Sequence, residues 1–283
     1  MGHRSRMGRV ESPEEFTASM PTSYREGFDE EAIVAHAGVA ARREASATRV
    51  EIWKDLPERV VAICIVADDR PGLLSQISAA LVAHEIDVVT AHAYCRTRND
   101  GTQEAIDLLW IRRVARANGS IGPIRARDVA AIGEMVDALV RGNAKLEPAV
   151  GFARALRTAA ANTRVRFDDG AGDGTMVLTI EATDRPGLLL VVTKAIFRAG
   201  LQILGLRATS EQGRAIDRFH LAELDGKPLL QARLLTLQVE ILSALEDGEG
   251  DAPSESESES ESESESESES ESESESESVE AVL

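Results

Sequence analysis

Two six-residue segments carry most of the chemistry this chain offers. Asp69-Arg70-Pro71-Gly72-Leu73-Leu74 recurs unchanged as Asp184-Arg185-Pro186-Gly187-Leu188-Leu189, an offset of 184 − 69 = 115 residues. Each follows an apolar run and precedes an amphipathic stretch, the pattern of a strand that turns sharply into a helix. The first amides of a helix have no intrahelical acceptor, and together with the helix dipole they favour an anion. Glycine at the fourth position allows a small molecule to approach the backbone closely. The N–H groups of Gly72, Leu73 and Leu74, and of Gly187, Leu188 and Leu189, are therefore candidates to hold a carboxylate. The same turn also has a purely mechanical reading: Asp69 and Asp184 are placed to cap the helices, and Pro71 and Pro186 sit where a missing N–H costs nothing.

Other residue types form no second centre. None of His3, His36, His84, His92 and His220 precedes an aspartate or sits at a metal-ligand spacing, and no Ser/His/Asp order, Cys/His pair or phosphate-cradling loop is present. The expectation is a non-enzyme with no metal and no cofactor. Cys64 and Cys95 fall in strand-like segments without CxxC spacing and read as reduced core thiols. His92 and Arg207 are equivalent under the 115-residue offset and read as a solvated strand face, with a shared groove lined by both as the alternative. Trp53 and Trp110 read as packing or interface residues, and Asp107 and Asp217, in a shared Ala-Ile-Asp, as strand positions with a turn or hairpin role.

Composition narrows the partners. The net charge of −18 comes from 49 acidic and 31 basic residues, but 15 of the acids and none of the bases lie between Glu249 and the C-terminus. The remaining 34 acids against 31 bases leave the preceding part at −3. No Lys/Arg stripe suited to nucleic acid stands out. No apolar run approaches the ~20 residues that span a bilayer, and Met1 to Val10 lacks a hydrophobic signal core. A cytoplasmic protein with neither a nucleic-acid nor a membrane partner is expected. Ser254 to Ser278 alternate Ser and Glu without interruption, a composition that buries nothing and repels itself, and reads as a solvated tail.

The elements that must position the two turns repeat as well. Thr48-Arg49-Val50 matches Thr163-Arg164-Val165 at the same offset and opens a short strand. A second strand follows in each copy, Val60 to Ala67 and Met176 to Ala182, the latter alternating with a period of two. After the turn, Leu74, Ile77 and Leu81, echoed by Leu189, Val192 and Ile196, form a helical stripe. Hairpins over Ile86 to Arg113 and Leu201 to Leu224 come next, around Asn99-Asp100-Gly101 and Gln212-Gly213. Closing helices span Arg127 to Val140 and Gln231 to Leu245. Each copy thus reads strand, strand, helix, strand, strand, helix. A ferredoxin-like sheet with its last strand moved to the front results if the leading strand pairs antiparallel with the second. The expected fold class is α+β, two circularly permuted ferredoxin-like units, each a four-stranded antiparallel sheet with two helices on one face. The expected organisation is an N-terminal linker over 1–47 with a helix from Glu30 to Arg43, units over 48–147 and 163–247, a linker helix within 148–162, and the tail over 248–283.

A strand ending in Asp-Arg-Pro-Gly-Leu-Leu, a helix, then Glu85-Ile86-Asp87-Val88 or Gly200-Leu201-Gln202-Ile203 resembles the ACT domain, a regulatory module that senses amino acids. The likeness covers residues 48–140 and 163–245. Its tandem placement, preceded by Phe16 to Tyr24, His36-Ala37 and Arg42-Arg43-Glu44, is similar to the C-terminal end of bacterial PII uridylyltransferases/uridylyl-removing enzymes. Their nucleotidyltransferase and hydrolase metal motifs are absent from this sequence: Gly119-Ser120 is followed by no Asp-x-Asp. The resemblance implies a free amino acid as ligand, glutamine first, at an interface where each turn meets the start of the next strand, with Asp87 and Gln202 reading its polar groups. Gln202 can bond both ammonium and carboxylate, Asp87 only the ammonium, so two unequal sites are expected. It further implies nitrogen or amino-acid signalling through a homodimer or a regulatory protein partner. Two alternatives stand beside this: a ligand-free interaction module, and a fragment or degenerate form of the longer enzyme.

Overall fold

Strand Val61–Asp68 is buried along both faces except at its last residue, and the reason is that the sheet around it is covered on two sides. The structure, a computed structural model, describes residues 11–43, 46–144, 163–170, 175–225, 227 and 229–246. The expected linker helix over Pro148 to Ala160 and the Ser-Glu tail lie outside them.

The strands are β1 (Thr48–Asp55), β2 (Val61–Asp68), β3 (Ile86–Thr97), β4 (Gln103–Arg113), β5 (Arg164–Asp169), β6 (Met176–Thr183), β7 (Leu201–Glu211) and β8 (Arg214–Glu223). They form one eight-stranded sheet in the order β1-β2-β4-β3-β7-β8-β6-β5, each pair antiparallel. The expected pairing of leading and second strands is present, with Val50 opposite Ile65 and Val165 opposite Ile180. The two four-stranded halves are not separate sheets: they join edge to edge through β3 and β7, so neither half leaves its inner edge unpaired.

Helices α4 (Leu73–Ala83), α5 (Ala126–Val140), α6 (Leu188–Arg198) and α7 (Gln231–Glu246) lie on one side. Their stripes Leu74, Ile77 and Leu81, Val129, Ile132, Val136 and Leu139, Leu189, Val192 and Ile196, and Leu237, Ile241 and Leu245 are buried against Ile63, Ile65, Leu109, Leu178 and Phe219 of the strands. The other side of the first repeat is covered by α1 (Pro13–Ser19), α2 (Thr22–Gly27) and α3 (Glu30–Arg43), two more helices than expected before β1. Phe16, Met20, Tyr24 and Val39 pack on Cys64, Val66, Ile106 and Leu108. A strand buried on both faces needs apolar residues at every position, and the run Val61 to Ala67 supplies them. The equivalent β6 and β8 alternate, and among the described residues α1–α3 have no counterpart there.

Candidate functional site

In the β3/β7 ladder His92 stands opposite Arg207, Thr90 opposite Thr209 and Tyr94 opposite Gly205. These positions interchange under the 115-residue repeat, so a local two-fold axis passes through the His92/Arg207 pair. Each helix-starting turn is thereby carried to the far repeat: the first beside Leu201 and Ile203 at the start of β7, the second beside Ile86 and Val88 at the start of β3.

The turns themselves differ from expectation. Gly72 (φ 80°, ψ −1°) and Gly187 (φ 82°, ψ 0°) take the N-cap positions in the left-handed region, with no side-chain cap bond. Asp69 and Asp184 therefore do not cap the helices; their amides donate to Gln103 O and Gly213 O at 3.1 and 2.9 Å. Proline followed by left-handed glycine is the signature of a type II turn, which closes with a bond from its fourth residue to its first. The amides of Leu73 and Leu188 make that bond, to Arg70 O and Arg185 O at 3.2 Å. They are not available to a ligand. Among the described residues no acceptor is bonded to the amides of Gly72, Leu74, Gly187 or Leu189, so two of the three expected donors persist in each turn.

Opposite the first turn, Gln202 Nε2 donates to Asp69 Oδ2 at 2.9 Å, joining residues 133 positions apart. Opposite the second, Asp87 is 4% exposed and accepts from Arg112 Nε and Nη2 at 3.1 and 2.9 Å. Burial raises the Asp87 carboxyl, Arg112 opposes this, and Asp184 across the boundary adds to the rise. The two corners are thus unlike in charge and in pairing.

Asp107 and Asp217 complete the corners, and a hairpin role does not describe them. Each sits in mid-strand on the helix side, opposite Ile65 and Ala93 or Ile180 and Ala208, and lines the cavity of its own turn. They are 3% and 4% exposed. Neither carboxylate accepts a hydrogen bond from a described residue. Burial, then Asp69, pushes Asp107 up to about 8; burial, then Asp184, pushes Asp217 up to about 7. Cys95, beside Asp69, is pushed up to about 12 mainly by burial. The signal was in the pattern: Asp107 shares strand parity with Ala105, Leu109 and Ile111, and Asp217 with Ala215, Phe219 and Leu221, so each is an acid at a core position, and twice over.

Each cavity measures about 30 Å³, room for about one water. The Phe197 ring lies over Gly72, where an added Cβ would come within 2.7 Å of it. Gly72→Ala is expected to cost about 1–2 kcal/mol for the left-handed conformation, with about 1 kcal/mol more for displacing the ring. Denaturant midpoints check this: adding Phe197→Ala should remove only the second part, and a fully additive pair would refute the contact.

Among the described residues no group of three or more His, Cys, Asp or Glu is placed to hold a metal ion, and no helix is long and apolar enough to cross a membrane. No protein-family model matches the chain. It is 29% identical over 233 residues to a bifunctional uridylyltransferase/uridylyl-removing enzyme of Gluconobacter oxydans, covering 79% of this chain and 24% of that protein. The chain resembles a region of that enzyme. Proteins of the same description from Phenylobacterium zucineum (29%, 84% of this chain) and Caulobacter vibrioides (26%, 83%) match similarly. The chain spans about a quarter of the length of these curated relatives. Among solved structures, aspartate kinase from Synechocystis aligns over 65% of this chain at 11% identity with a TM-score of 0.33.

Proposed function

We propose that this chain is a non-catalytic regulatory protein whose two repeats are circularly permuted ferredoxin-like units of the ACT type, and that it binds a free amino acid at the two inter-repeat corners. The observation that carries this reading is the local two-fold axis, which sets free backbone amides of one repeat against polar side chains of the other at both corners. Amides suit the carboxylate of an amino acid, and Gln202, Asp87 and the buried aspartates suit its ammonium. The resemblance to the uridylyltransferase/uridylyl-removing enzymes makes glutamine the first ligand to try and nitrogen status, sensed in the cytoplasm, the signal. The cavities of about 30 Å³ hold about one water, so this reading requires binding to move Phe197 of α6 away from the first turn.

Calorimetry with glutamine and a panel of other amino acids tests the proposal. A ligand of the native state stabilises it by mass action, about 2.7 kcal/mol at a hundredfold excess over Kd, so the melting temperature should rise. Two unequal sites are expected, and Gln202→Ala should weaken one and spare the other. No heat and no shift with any amino acid would defeat the reading. The Phe197 ring over Gly72 favours one rival, a ligand-free interaction module. It predicts self-association indifferent to amino acids, which sizing with and without them measures.

A further inference from the structure

The side of the sheet turned away from α4–α7 is clothed unevenly, and a groove of about 530 Å³ opens where the cover of α1–α3 stops. Pro21, Ser23 and Gly27 form one wall. Its floor is basic. Arg207 stands directly opposite Arg218 in the β7/β8 ladder and opposite His92 in the β3/β7 ladder, so three nitrogen-bearing side chains occupy one cross-strand row. His220, two residues beyond Arg218 on the same face, stands opposite Gly205, whose missing side chain leaves the floor open between them.

Like charges directly opposite on antiparallel strands repel, and a protein ordinarily relieves this with a nearby carboxylate. Further along the same face it does: Arg164 and Arg166 share Glu181. In the groove it does not. Among the described residues no ion pair reaches Arg207 or Arg218, and no Asp or Glu lines the cavity. Where the part before Glu249 has 34 acids to 31 bases, a facing arginine pair with no carboxylate among the described residues suits an anion.

We propose that this groove binds a phosphoryl group, clamped between the Arg207 and Arg218 guanidinium groups with His92 and His220 as flanking donors, as part of a small molecule. Two planar forks on facing strands match an oxyanion with three or four oxygens, whereas a single carboxylate saturates one fork. The volume lies in the range of small-molecule sites. Tyr94 also lines the groove and offers an aromatic side chain to the rest of the ligand. The site is on the opposite side of the sheet from the Asp-Arg-Pro-Gly corners and is independent of amino-acid binding.

Titration of the full chain with sodium pyrophosphate and with adenosine monophosphate, at ionic strength fixed by sodium chloride, tests the proposal. One phosphate compound per chain should bind saturably and raise the melting temperature. Arg207→Gln or Arg218→Gln should weaken binding at least tenfold, and the pair should abolish it. Tighter binding of the nucleotide assigns a carried phosphoryl group, tighter pyrophosphate a free one. No saturable response, an equal response to sodium acetate, an unchanged affinity in the double variant, or binding only of a phosphoserine peptide would overturn it. Both arginines are exposed, so the variants should fold. Should they not, phenylglyoxal labelling of the unaltered chain decides: pyrophosphate should protect Arg207 and Arg218, and equal labelling with and without it refutes the clamp.

Discussion

Glu104→Ala is expected to destabilise the protein by about 3 kcal/mol, the low end of the range for breaking a buried ion pair by removing one partner, because each arginine it holds keeps one other carboxylate. Glu104 is 1% exposed and ties together two arginines that are themselves buried. Its Oε1 meets Arg43 Nη1 at 2.8 Å, and its Oε2 meets Arg96 Nη2 at 2.5 Å. Arg43 is the last residue of α3, and Arg96 reaches Ser19 Oγ at 2.9 Å and Glu11 at 2.8 Å while lying over the Phe16 ring at 4.4 Å. One carboxylate on β4 thus fastens both ends of the α1–α3 layer to the sheet. Removing it leaves Arg43 with the Asp68 carboxylate alone and Arg96 with that of Glu11 alone, so two buried guanidinium groups lose the carboxylate they share. Urea unfolding measures the loss. Glu104→Gln, which keeps acceptor and shape, should recover part of it. A loss below about 1 kcal/mol for the alanine variant would mean that water enters and replaces the carboxylate, and that the layer is held by Phe16, Met20 and Tyr24 alone.

The repeat itself was legible because local signals agreed. Period-two and helical patterns, turn residues and the 115-residue offset all pointed to the same six elements, and the pairing of Val50 with Ile65 followed from where the final strand was missing. The joining of the halves through β3 and β7 was not legible from either repeat alone. It depends on an edge whose central residues, Ala91, His92 and Ala93, are small or polar and carry no address for a partner. The second face of the first repeat was half legible: an unbroken apolar β2 beside an alternating β6 marks a strand covered twice, yet scattered Phe16, Met20 and Tyr24 gave no period that would mark α1 and α2. At the turns, an aspartate ahead of Pro-Gly matches a helix cap as well as a type II turn, and only the turn commits the Leu73 and Leu188 amides. Asp107 and Asp217 were legible only through their strand parity, because an aspartate beside a hairpin ordinarily reads as a turn residue.

Those two aspartates set the pH dependence of stability. A carboxyl whose pKa is higher folded than unfolded holds its proton in the native state while the unfolded chain has lost it. Its stabilising contribution is present in full below the unfolded value, near 4, and is lost as pH rises through the folded value. For Asp107 that window closes at about 8 and for Asp217 at about 7. His36 and His92 act in the opposite sense. Burial, with Arg207 also acting on His92, lowers both to about 4, so below pH 6.5 the unfolded chain takes protons that the native state refuses. From pH 4 to 6.5 the two effects largely cancel. Above 6.5 the aspartates dominate, with the buried thiols Cys64 and Cys95 adding a smaller effect of the same sign near pH 8.5, and stability should fall by roughly 2–3 kcal/mol by pH 8.5, at about 1.4 kcal/mol per pH unit for each proton released. Asp107→Asn, neutral at every pH and nearly the same shape, should remove most of that fall and leave the variant more stable than the parent at pH 8.5 by about 3–5 kcal/mol. Melting curves at pH 6.5 and 8.5 decide it: equal slopes for parent and variant would show that Asp107 is ionised in the native state and solvated through the corner. A gain in stability would also bear on function, because a buried acid kept at such a cost, twice and in matching places, is what a site for a cationic group requires. The same Asp107→Asn variant should then lose affinity for an amino acid as it gains stability, a pairing that packing alone does not produce.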